Sequence, residues 1–93
     1  MYYAAHLIYI SKNNFLKLHV IKVEQGRVVS LFPFDGELQS MQWADRLLLS
    51  NDSTLGGCVS AIEAVLPHSV SNEIPSFAYK VISTAGGFFL EPI

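Results

Sequence analysis

The chain is short of charge. Lys, Arg, Asp and Glu make up 15% of its 93 residues, against about 25% in an average globular protein. Its six basic residues (Lys12, Lys17, Lys22, Arg27, Arg46 and Lys80) are dispersed and the net charge is −2. No face can neutralise a row of phosphates, so a nucleic-acid partner is not expected. Neither a positive groove interleaved with aromatics nor a basic amphipathic face is present, which argues against single strands and membrane surfaces. Long apolar runs are missing as well, and none approaches the roughly 18–20 residues a membrane span needs. The opening "MYYAAHLIYI" lacks a positive n-region, so no signal peptide is expected. There is one cysteine, Cys58, which excludes an internal disulfide and fits a reducing compartment. The expected location is the cytoplasm.

Catalytic and metal motifs are equally scarce. His6, His19 and His68 lie far apart, with no His-x-His, His-Glu-x-x-His or Cys-x-x-Cys among them. His6 and His19 would face each other only if the first two strands formed a hairpin. No Gly-x-Ser-x-Gly elbow is present to activate a serine. Gly56-Gly57 sits in the first turn of a segment read as a helix, yet no Lys or Arg follows to hold a phosphate, and a loop hinge explains the pair better. Asp35 and Glu37 share one turn, as solvated loop residues do. Trp43 with Phe32 and Phe34 would either line a small-molecule pocket or belong to the core. Cys58, in "GGCVS", has two readings. At a helix N-terminus its thiol would be acidified, whereas on the helix's inner face it would be a small buried hydrophobe. The second is preferred. These residues do not assemble an enzyme, and no metal, cofactor or catalytic residue is expected.

What the chain has in quantity is apolar side chains, 51% of residues. Tyr2 to Ile10 reads as a strand ended by the turn formers Ser11-Lys12-Asn13-Asn14. Phe15 to Glu24 reads as a second strand in which Leu16, Leu18 and Val20 share one face and Ile21 and Val23 the other. The phase slips between Val20 and Ile21, so either both faces are covered there or a bulge re-aims the chain. Gln25-Gly26 is a tight hairpin turn into Arg27–Phe34, bracketed by Glu24 and Arg27. Pro33 ends that strand or places it at an edge, and Asp35-Gly36 turns the chain. Glu37 to Ala44 reads as a short helical turn or irregular segment, followed by a strand over 45–50. Cys58, Ile62, Val65 and Leu66 fall near helical spacing, which predicts a helix from Leu55 to Leu66. Strands over 77–84 and 88–93, joined at Ala85-Gly86-Gly87, close the chain.

The expectation is a single domain over 1–93, mainly β or α+β. Its core would be a small curved antiparallel or mixed sheet, a sandwich or pseudo-barrel, of about six strands with one helix near 55–66.

Residues 3–50 carry a resemblance. "AAHLIYI", "KLHVIKVE", the tight turn into "GRVVSLFPF" and then "DRLLLS" resemble the opening strands of amidohydrolase-superfamily enzymes, the metal-dependent hydrolases. In that family these strands join C-terminal strands in a small composite β-domain beside the catalytic barrel. The resemblance implies that "SFAYKVIST" and "FFLEPI" supply the C-terminal strands. The family's Pro-Gly and His-x-His, which should follow the fourth strand, are replaced here by Ser50-Asn51-Asp52-Ser53. No catalytic or metal residue carries over, and the resemblance implies only the accessory fold without its barrel. With so few charges, apolar side chains must reach the surface. The expected function is therefore a non-catalytic module that self-associates or docks to a protein partner. The alternative is a small-molecule-binding protein or small enzyme using Cys58 or an aromatic pocket.

Overall fold

A computed structural model describes residues 1–36, 40–69 and 73–93. The strands are β1 (Tyr2–Ser11), β2 (Asn14–Glu24), β3 (Arg27–Pro33), β4 (Gln42–Ser50), β5 (Gly57–Val59), β6 (Phe77–Thr84) and β7 (Gly87–Pro92), with one turn of 3₁₀ helix at Ile62–Val65. All seven belong to one mixed sheet in the order β3-β2-β1-β4-β6-β7-β5. The central pair, β1 with β4, is parallel and the other pairings are antiparallel. The β-rich class expected from the sequence is thus what the chain adopts, with seven strands in place of six.

Local chemistry explains the hairpins. Ser11 pairs with Asn14, so Lys12-Asn13 alone makes the first turn, tighter than the four residues expected. Gln25 and Gly26 both have positive φ, 52° and 77°, the pattern whose twist matches the flanking strands. Glu24 and Arg27 are opposite in register but do not pair. Glu24 takes Lys22 at 3.1 Å, while the Arg27 guanidinium lies 5.5 Å over the Phe77 ring. Pro33 ends β3, which is also the edge strand.

The helix expected over Leu55–Leu66 does not form. Gly56-Gly57 would cost a helix about 1 kcal/mol each, and Ala61, extended in front of Ile62, provides no side-chain cap. The stretch becomes a three-residue strand and a single helical turn. The segment from Glu37 to Ala44 is also different: Gln42 already lies in β4, and residues 37–39 fall outside the described residues.

The slip of apolar phase is real but lies earlier than Val20–Ile21, and it spans three strands. One core cluster holds Tyr3 and Ala5 together with Ile8 and Ile10 of β1, and Leu47 and Leu49 of β4, with Ala44 packed against it. From β2 it takes Ile21 and Val23, with Leu16 packed alongside. Strict alternation would put these groups on opposite faces. The ladder skips His6, Leu18 and Asp45 at one level, while the register on either side is unchanged. Leu18 has φ 52° and its carbonyl accepts the Phe34 N–H at 2.9 Å. Val20 and Ile21 are both buried, so both faces are indeed covered there. A separate bulge leaves Val29 unpaired, between Val23↔Val28 and Lys22↔Ser30.

Beyond the slip, the opposite face builds a second core from Leu48, Tyr79, Val81 and Leu90, roofed by Ile62 and Leu66. Tyr79, 1% exposed, donates its hydroxyl proton to the Asp52 carbonyl and accepts the Leu55 N–H. It thereby ties the roof segment to β6. The sheet curls until Val28 N–H meets the Ser76 carbonyl at 2.8 Å but does not close into a barrel.

Two substitutions test this packing by urea unfolding. Tyr79→Phe removes the partner of two part-buried backbone groups and should cost about 1–2 kcal/mol. Gly87 has φ 153°, and a Cβ there would lie 2.3 Å from the Val59 carbonyl oxygen. Gly87→Ala should therefore cost about 1–3 kcal/mol or more, although the residue lies at a hairpin end.

Candidate functional site

One exposed apolar row follows from the same alternation. Val81 and Leu90 pair across β6 and β7 with their side chains in the second core, so their neighbours Ile82 and Phe89 must point the other way. Ile82 pairs with Phe89, and Phe89 with Cys58. The three form a cross-strand row on the uncovered face, with Ile82 43% and Phe89 37% exposed and Cys58 exposed beside them. Lys80 and Glu91, opposite each other two residues along, carry one charge of each sign on the same face. β5 is the last strand of the sheet. The Val59 carbonyl oxygen approaches Gly87 on β7, so alternation turns the N–H and C=O of Cys58 toward the open edge.

Both readings of Cys58 are thereby corrected. It is neither buried on a helix face nor held at a helix N-terminus, because the Gly-Gly pair made its segment an edge strand. Gly56 is needed for close approach, since a Cβ there would meet the Pro92 ring at 3.0 Å. That packing role replaces both the hinge and the anion cradle.

The aromatic residues divide into two groups. Trp43, 43% exposed, lies 5.1 Å from the Phe34 ring and 5.5 Å from the His6 ring. Phe32 instead meets Tyr2 edge-on at 6.3 Å. Phe32, Val20, Ala4 and Trp43 follow one another across β3, β2, β1 and β4. The large rings thus shield the small Ala4 and Val20 between them, which are fully buried.

A groove of about 580 Å³ runs between the ends of β1 and β4 and the residues after the 3₁₀ turn, lined by Ile10, Leu49, Asp52, Val65 and Pro67 among others. Two of its polar side chains already hold backbone groups. Asn51 Oδ1 accepts the Ser76 N–H at 3.1 Å, and Asp52 Oδ1 accepts both the hydroxyl and the N–H of Thr54. These bonds, the hydroxyl's first, hold the Asp52 carboxyl below the ordinary aspartate value.

The histidines stay apart. His6 packs on Trp43, while His19 sits opposite Ala5, with Nδ1 3.0 Å from the Lys17 carbonyl. His68 is exposed beyond the 3₁₀ turn. Among the described residues no three His, Cys, Asp or Glu side chains converge to hold a metal ion. Asp35 is exposed after β3, and Glu37 lies outside the described residues.

Compared with known protein families, curated proteins and solved structures, the chain has no match. The sequence contained the Ile82–Phe89 pair, but alternating strands with apolar residues on both faces do not reveal which face is covered. Cys58 gives the check. In dilute native protein it should react with an aromatic disulfide reagent nearly as fast as in urea, and a thiol protected until unfolding would contradict its placement.

Proposed function

We propose that the chain is a non-catalytic assembly module that associates with a second copy of itself through the β5–β7–β6 face. The observation that carries this reading is the exposed row Ile82–Phe89–Cys58 beside an unpaired strand edge. Contiguous exposed apolar surface of this kind marks association sites on small proteins. The chain's low charge works in the same direction. Lys80 and Glu91 bring opposite signs to the face, so apposing two copies does not accumulate like charge.

The resemblance of residues 3–50 to the accessory β-domain of metal-dependent hydrolases belongs to the same reading. It implies an accessory β-scaffold that presents surfaces. Shared architecture does not itself assign an activity.

Light scattering coupled to size exclusion tests the proposal. The wild-type chain should associate as its concentration rises, and Cys58 should become protected from alkylation over the same range. Ile82→Glu should remain folded by circular dichroism and shift association to at least about tenfold higher concentration. A wild-type chain that stays monomeric throughout would overturn the assignment.

A further inference from the structure

Arg46 is a half-buried cation with no carboxylate paired to it among the described residues. It projects from β4 onto the face of the second core, at the end away from the roof. There Nη2 donates to Ser83 Oγ at 2.7 Å, Nη1 makes a longer bond to the Tyr9 hydroxyl oxygen at 3.4 Å, and the guanidinium lies 5.3 Å over the Phe88 ring. The partners come from β1, β6 and β7, so the sheet itself fixes their spacing. Lys22, by contrast, is paired with Glu24.

A guanidinium only donates, so both hydroxyl oxygens act as acceptors toward it. Their protons are then directed elsewhere, and neither hydroxyl has a second partner among the described residues. Of the five N–H groups an arginine carries, two are used among the described residues. The cluster thus combines a full positive charge with donors from three side chains and, among the described residues, no paired carboxylate. The Phe88 ring lies against the guanidinium, whose planar fork suits two-oxygen recognition.

We propose that Arg46, Tyr9 and Ser83 form a binding site for an oxyanion, a phosphate or carboxylate group, with Arg46 supplying the charge and the hydroxyls the orienting donors. The site lies on the opposite face from Ile82 and Phe89 and stands whether or not the chain self-associates.

The test is a titration followed by two-dimensional NMR at the Arg46 Nε–H and the Ser83 amide. Sodium phosphate and sodium acetate are the two probes, each exchanged against chloride at constant ionic strength. A saturable shift at both resonances with either probe is the expected result, and the tighter probe names the anion class. Arg46→Gln should weaken binding by at least about tenfold. Ser83→Ala, at an exposed position that leaves the cores untouched, should weaken it about three- to tenfold. The site is overturned if neither probe gives a saturable shift, or if Ser83→Ala binds as tightly as the wild type.

Discussion

The change of pleat phase at His6, Leu18 and Asp45 is the constraint from which the rest of the architecture follows. Any one strand that slipped alone would lose its register with its neighbours. Because β2, β1 and β4 slip at the same level, the pairing on each side is preserved. Holding Leu18 in the left-handed region costs on the order of 1–2 kcal/mol. In return Leu16, Ile8 and Leu47 join the cluster that already holds Tyr3, Ala5 and Ile21, and each fully buried aliphatic side chain contributes about 1.5–3 kcal/mol. With Ile8 and Leu47 fully buried, the exchange favours the slip.

One consequence is that both faces of the central strands are occupied. The leucines in succession, Leu47-Leu48-Leu49, are all buried, because the curled sheet covers one face and the 3₁₀ segment roofs the other. A small chain cannot extend that cover indefinitely. The outer arm, β6-β7-β5, has a roof on one side only, which leaves Ile82, Phe89 and Cys58 uncovered. On the roofed side the cover stops short of Arg46, where a cation, two hydroxyls and a ring edge the apolar core. Both surface features therefore lie where the cover given by the described residues ends.

How much of this was legible depends on whether the signal is local. The Gln25-Gly26 turn was readable because positive φ is demanded by residue type within two positions. The slip in β2 was visible as broken alternation, yet misplaced, since Leu18 looks like a core residue and only its backbone shows otherwise. The 55–66 segment misled because a few apolar residues at helical spacing outweighed the Gly-Gly penalty that decided the outcome. Cys58 was misplaced with it. The Arg46 cluster had no sequence signal, because Tyr9 and Ser83 each lie 37 residues away and only the strand order unites them.

The two edges of the sheet also argue for where association would occur. Open edges are liabilities that proteins blunt with prolines, bulges, charges or covering contacts. The β3 edge has several of these devices: Pro33, the unpaired Val29, Arg27 at its start and the Val28–Ser76 hydrogen bond. β5 has only its shortness, for Gly57-Cys58-Val59 contains neither proline nor charge. The exposed apolar row lies against this less protected edge and not against the blunted one. A partner strand added there would meet outward-facing backbone groups of Cys58, and its side chains would extend the Ile82–Phe89 row. The backbone and the side chains of the arm thus favour the same direction of approach.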